Sequence, residues 1–413
     1  MLRDYVRSIC SFNLNVRLFL AQIFVTGIYA GIYSVVFNLY VLNMGFRTDF
    51  LGLLISVTLI ASSVASIPAG MLCDRFDRKQ LLVVSGLFST LSLLPVFLSS
   101  SPHVIIIASA VGGAFSQIGV VCATPFLTDN CERDSVVHVF SATSAMTWAA
   151  SVIGCAFGGA LPGLWPYLHI AGDQYRLTLL ASMLILGAGW ALLLFLREDD
   201  CIRRHRPCRP AFSLRPSPAM LKFTAISVIM GAGSGMIVPY FNVYFARIVH
   251  ASVLQTGVVF AVANVFMVAG FIFIPFLSSK IGRARSAVVT QAASLPFLIV
   301  MAIAGNFYLA ATAYVLRMFL MNMAGPATTS LQMEVIEPGE RGFAVGLISM
   351  GNSLAVAAST YASGLLMAGG NYTLPFTITC LAYAAAAALL YHYFGHGERA
   401  QEPACDARAP ATS

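Results

Sequence analysis

Apolar residues in this chain run on for twenty or so positions at a time, separated by short polar joints. At 1.5 Å per residue, a run of about 18 apolar residues is long enough to cross a hydrocarbon layer about 30 Å thick. Twelve such runs predict helices over 17–42, 49–73, 79–99, 103–128, 135–160, 176–196, 220–246, 252–279, 286–304, 307–333, 341–368 and 372–394. Membrane-barrel strands would be about ten residues long with strict alternation, a pattern these runs do not follow. The expectation is therefore an all-α polytopic membrane protein with about twelve transmembrane helices.

The polar stretch from Arg197 to Pro218, rich in Arg and Pro, divides these runs into six and six. It predicts an N-terminal half (1–196), a linker (197–219), a C-terminal half (220–394) and a flexible tail (395–413). The halves also repeat. Phe37-Asn38-Leu39-Tyr40 returns as Phe241-Asn242-Val243-Tyr244, and Gly52 returns as Gly257. Arg75-Phe76-Asp77-Arg78 has its counterpart in Lys280-Ile281-Gly282-Arg283, and Arg133 and Ser141 match Arg341 and Ser349. Six helices per repeat set the two copies parallel, as pseudo-symmetric bundles about an axis normal to the membrane. A cavity between them, open to either side in turn, is the mechanical consequence.

Hydrophobic residues make up 58% of the chain and charged residues only 10%, too few to coat a water-soluble globule. The net charge of +7 could suggest nucleic acid, but its placement rejects that partner. Of the 24 basic residues, all but Arg47, Arg176, Arg247 and Arg317 fall on one set of loops and tails. By the positive-inside rule those segments, with both termini, are expected in the cytoplasm of a bacterial inner membrane. The nine cysteines fall in spans or on that reducing side, so neither a disulfide framework nor a metal site is expected. The first sixteen residues, with Arg3, Asp4, Arg7 and Asn13, lack the apolar core of a cleaved signal.

Between the second and third runs stands Gly70-Met71-Leu72-Cys73-Asp74-Arg75-Phe76-Asp77-Arg78-Lys79. This resembles the signature of the major facilitator superfamily, with a degenerate copy in the matching loop of the other half. Asp77 departs from it, standing where the family has glycine, which puts the tightness of the turn in question. Ser279 stands where the second copy would carry its acid, so a one-sided charge network is expected. The resemblance implies a conformational latch of Gly70, Asp74, Arg75, Arg78 and Asp129. In it Gly70 permits close helix packing, Asp74 meets the start of the eleventh helix near Arg341-Gly342, and Arg78 reaches Asp129, stabilising the outward-facing state.

The same resemblance makes the first, fourth, seventh and tenth helices line the cavity. On the first, Gln22, Thr26, Tyr29, Tyr33 and Tyr40 share one face, and the fourth offers Ser109, Gly113, Ser116, Gln117 and Thr124. The glycines of Gly231-Ala232-Gly233-Ser234-Gly235 allow the seventh to bend or pack closely. Arg317 stands near mid-membrane, where even a lenient scale charges about 2.5–3.5 kcal/mol, and no acid shares its depth. It is expected to face the cavity beside Met321 and Asn322 and to meet water, carbonyls, tyrosine hydroxyls or an anionic substrate group. The implied function is secondary active transport of a small molecule by alternating access, with export of an amphipathic or anionic compound. An uptake carrier, a uniporter or a transporter-like ligand-sensing receptor stands as the alternative. No catalytic constellation or nucleotide loop is found, so neither an enzyme nor an ATP-driven pump is expected. The chain is read as a monomer in the lipid bilayer, without a cofactor. Proton coupling is left open, with Asp74, Asp129 or Glu334 as gate groups able to titrate.

Overall fold

The computed structural model describes residues 13–131, 136–170, 172–196, 217–337 and 340–395. Among these described residues lie twelve helices long and apolar enough to cross a membrane. They are α1 (Leu14–Asn43), α2 (Thr48–Arg75), α3 (Arg78–Leu98), α4 (Pro102–Asp129), α5 (Val136–Leu164) and α6 (Gln174–Phe195). The second half supplies α7 (Pro218–Arg247), α8 (Val253–Ile281), α9 (Arg283–Ile303), α10 (Phe307–Val335), α11 (Arg341–Ala368) and α12 (Thr373–Phe394). The twelve apolar runs of the sequence fall on these helices, and no strand occurs among the described residues. Arg133, linker residues 197–216 and the tail from 396 lie outside them, as does the side chain of Asp74.

Helix starts follow from capping chemistry. Ser252 and Gln255 form a reciprocal capping box on α8, and Ser217 and Asn306 accept backbone N–H groups at the heads of α7 and α10. Asp77, where the motif calls for glycine, is the N-cap of α3. Its φ is −66° and its carboxylate accepts the N–H of Lys79 at 3.0 Å, so the turn needs no glycine here. Gly282, its counterpart in the second half, has φ +90° and does need one.

Each half packs α1 or α7 against its fifth and sixth helices, and α2 or α8 against its fourth. The Tyr40 hydroxyl donates to the Phe97 carbonyl at 2.8 Å, and the Tyr244 hydroxyl donates to the Met301 carbonyl at 2.6 Å. These are the same bond made once in each copy. Between halves, α2 lies on α11 and α5 on α8. Glycine permits both approaches: a Cβ on Gly52 would stand 3.1 Å from the Gly364 Cα, and one on Gly257 would stand 2.6 Å from the Gly159 Cα.

The two ends of the molecule differ. The end with most of the basic residues, where α1 begins and α12 finishes, is called the basic end. At the opposite end the halves are tied together. Pro239 interrupts α7 with a short 3-10 turn over Val238–Tyr240. Gly235, four residues earlier, has its carbonyl taken up by the Thr360 hydroxyl at 3.1 Å. The Pro239 carbonyl is free to accept Asn38 Nδ2 at 2.6 Å, and the same amide donates to Asn242 Oδ1 at 2.8 Å. Asn242 Nδ2 returns bonds to the carbonyls of Ser34 and Val35 at 3.1 and 3.3 Å. Arg47 and Thr48 bond the carbonyls of Ala368 and Gly364 in the same region. At the basic end an added Cβ on Gly70 or Gly346 would meet no described atom within 4 Å, and Ile67 and Met71 of α2 are exposed. The space between the halves opens at the basic end.

Candidate functional site

The loop after α2 places Arg78 at the head of α3, beside the end of α4. Its Nη1 donates to the Pro125 carbonyl at 2.7 Å and makes an ion pair with Asp129. Both side chains are mostly buried, a setting that strengthens the attraction and makes an orphaned partner costly. Arg75 is exposed. Gly70 makes no close approach in this conformation, contrary to the packing role expected of it, because the halves are apart at the basic end. The expectation of a one-sided network also requires correction. Arg283 Nη1 donates to Glu334 Oε2 at 2.6 Å, and the two residues lie 205 positions after Arg78 and Asp129. The acid at position 279 is missing, but the arginine–carboxylate pair is kept in both halves, the second more exposed than the first.

A cavity of about 660 Å³ lies within the N-terminal half. Helix α1 contributes Gln22, Thr26, Tyr29 and Tyr33, and α4 contributes Ser109, Gly113, Ser116 and Thr124. Sequence reasoning missed the rest of the wall: Thr58 and Ser62 from α2, Ser89 and Ser92 from α3, Thr143 and Thr147 from α5, and Trp190 from α6. A second cavity of about 450 Å³ sits between the halves near the closed end, against the Asn38–Asn242 tie, with Phe37, Trp148, Phe241 and Tyr314 among its walls. Tyr33 borders both. Its ring stacks on Phe37 at 4.3 Å and lies 5.6 Å from Tyr29, so α1 carries an aromatic ladder from one cavity to the other. Tyr40, placed on this face by helical spacing, is buried and turned to Phe97 instead.

Arg317 stands elsewhere than its charge suggested. It is 2% exposed and packed among α7, α10 and α12. Its Nη2 donates to the Tyr383 hydroxyl at 3.1 Å and its Nη1 to Met318 Sδ at 3.2 Å. The guanidinium lies over the Phe241 ring at 5.0 Å and near that of Tyr383 at 5.8 Å. Desolvated cation–π contacts of about 2 kcal/mol each rival the insertion penalty, so rings do the work expected of an acid or a substrate. Its placement as a cavity charge is corrected accordingly. Gln117, Met321 and Asn322 line neither cavity. Met321 Sδ accepts from Ser294 on α9, and Asn322 Nδ2 donates to the Met318 carbonyl of its own helix at 2.8 Å. The glycines of α7 serve packing: Gly231 and Gly235 lie against α11, and Gly233 against Tyr383.

The asparagine tie was also missed, although the repeated Phe-Asn-x-Tyr pointed to it. Glu334 was legible from its distance to Asp129.

A family model described as Major Facilitator Superfamily matches residues 18–321 and 223–412. No relative among curated proteins matches the chain. Among solved structures, a point variant of the nucleoside transporter NupG superposes with a TM-score of 0.75 at 14% identity, covering 92% of this chain and all (100%) of that one. A bacterial homologue of the iron transporter ferroportin, in an inward-facing state, gives 0.74 at 14% identity, covering 92% and 99%. A D-xylose–proton symporter gives 0.72 at 12% identity, covering 94% and 97%. At these identities the likeness is one of fold.

Proposed function

Because this chain belongs to the Major Facilitator Superfamily, we propose that it is a secondary carrier working by alternating access, seen here open at its basic end. The observation that carries the reading is the difference between its ends. Asn38, Asn242 and two glycine pairs bind the halves at one end, while Gly70 and Gly346 stand free at the other. Rocking the bundles about the α2–α11 and α5–α8 contacts would exchange these conditions and present the aromatic ladder of α1 to the other side. The Arg78–Asp129 and Arg283–Glu334 pairs stiffen the basic ends of the two bundles, so that each moves as a body.

The charge distribution supports placing the basic end, and both termini, in the cytoplasm of a bacterial inner membrane. This conformation is then inward-facing, and its N-terminal cavity is filled from the cytoplasm in the export direction. The anionic substrate expected from Arg317 loses its support, since that guanidinium is engaged by Phe241 and Tyr383. Purified protein in liposomes should give saturable solute flux that depends on the protein. Net efflux from cells down a solute gradient should fall when the gene is deleted. Flux equal to that of empty liposomes would refute transport, and a deletion that lowers only uptake would refute export.

A further inference from the structure

We propose that the transported molecule sits in the cavity of the N-terminal half, and that it is uncharged, rich in hydroxyl or N–H donors, and has a ring face. The proposal rests on the carrier reading and deepens it. Its first support is an asymmetry between the repeats. The pairs Arg78–Asp129 and Arg283–Glu334 set an offset of 205 residues for the helices that carry them, which makes Gly112 of α4 the counterpart of Arg317 in α10. Gly112 borders the 660 Å³ cavity and carries no side chain, whereas its counterpart in the other half places a guanidinium between Phe241 and Tyr383. One half keeps a seat that the other has filled.

The chemistry of the wall sets the class of ligand. Every described residue bordering the cavity is uncharged. A buried ion costs several kcal/mol unless a partner compensates it, and this wall offers no charged partner. Seven of the hydroxyls on its wall spend their hydrogens on backbone carbonyls, among them Thr58 on Leu54 at 2.8 Å, Ser62 on Thr58 at 2.9 Å, Ser92 on Ser89 at 2.7 Å and Thr147 on Thr143 at 2.8 Å, while the Trp190 indole N–H is buried with no acceptor among the described residues. What those seven oxygens still offer is lone pairs, so the wall presents a row of acceptors beside the indole N–H donor of Trp190. An ion of either sign finds no compensating charge among the described wall residues, while an uncharged ligand bearing O–H or N–H groups is matched by the acceptors. Tyr29 and Tyr33 supply an aromatic surface for a ring. The volume is within the range of small-molecule sites.

The test uses radiolabelled probes on purified protein in detergent. Uridine, xylose and phenyl glucoside represent the uncharged class, uridine monophosphate the anions and tetraphenylphosphonium the cations. At least one uncharged probe should bind in preference to both charged ones. Ser116→Phe and Thr124→Phe, at exposed positions on the cavity wall, should weaken that binding about tenfold or more. Thr329→Phe, 205 positions after Thr124, should change it less than about threefold. If either cavity variant fails to stay monodisperse, the other carries the comparison, with Thr124→Met as a milder filler. The inference is overturned if a charged probe binds best, if no uncharged probe binds, or if Thr329→Phe weakens binding as much as Thr124→Phe. Binding of an uncharged probe without counterflow in liposomes would uphold the seat and refute the carrier reading. Counterflow of a charged probe alone would do the reverse.

Discussion

Replacing Asn38 with alanine should open the closed end. The amide gives two bonds between the halves, to the Pro239 carbonyl and to Asn242 Oδ1. A net hydrogen bond contributes about 0.5–1.5 kcal/mol, so the closed state loses about 1–3 kcal/mol, a factor of roughly 5–150 in the ratio of the two states. Asn242→Ala removes the shared bond and those to Ser34 and Val35, and should act similarly. The double variant should fall short of the sum, because one bond is counted in both single losses. Spin labels at Asn43 and Ile248, exposed at this end, would report the change as a longer distance in a background free of other reactive cysteines. Folded Asn38→Ala and Asn242→Ala proteins with the parent's distance distribution would refute the assignment of the asparagines to the gate.

Arg78→Ala or Asp129→Asn should lower flux while leaving insertion intact, and the double change should be no worse than either alone, which a double-mutant cycle of transport rates would show. Arg283→Ala should have the smaller effect, since its pair with Glu334 is more exposed; an equal loss would count against this ranking. Tyr383→Phe leaves Arg317 Nη2 without its hydroxyl partner and should destabilise the protein by about 1–3 kcal/mol without changing ligand affinity, readable by thermal denaturation beside a binding isotherm. Gly257→Leu should wedge α5 from α8, where even a Cβ would stand 2.6 Å from the Gly159 Cα, and should lengthen the Asn43–Ile248 distance.

The helices and the two-fold repeat were legible because they depend on properties that sequence carries directly: length of apolar runs and recurrence of short motifs. The pairing of Asp129 with Arg78 came from the family resemblance of the loop motif, and both residues stand at helix ends on the basic side. Arg317 was misplaced by a sound energetic premise with one option left out. A mid-membrane cation was known to need compensation, but only a packed structure shows that Phe241 and Tyr383 bring two ring faces to it from α7 and α12. The cavity was half legible. The family resemblance named α1 and α4 and helical spacing gave the α1 face, while the hydroxyls of α2, α3 and α5 join them only through the bundle's packing. Gly70 shows a different difficulty, since one sequence serves two conformations and a contact made in one of them is absent from the other.

Alternating access is tested most directly by measuring both ends of the molecule in one preparation. Label pairs at Gly70 and Gly346 report the basic end, where nothing lies within 4 Å of an added Cβ, and pairs at Asn43 and Ile248 report the other. Alternating access predicts opposed populations: conditions or substitutions such as Asn38→Ala that lengthen the second distance should shorten the first, in equal proportion. Ends that open or close independently, or a basic end that stays open when the opposite end is released, would contradict it.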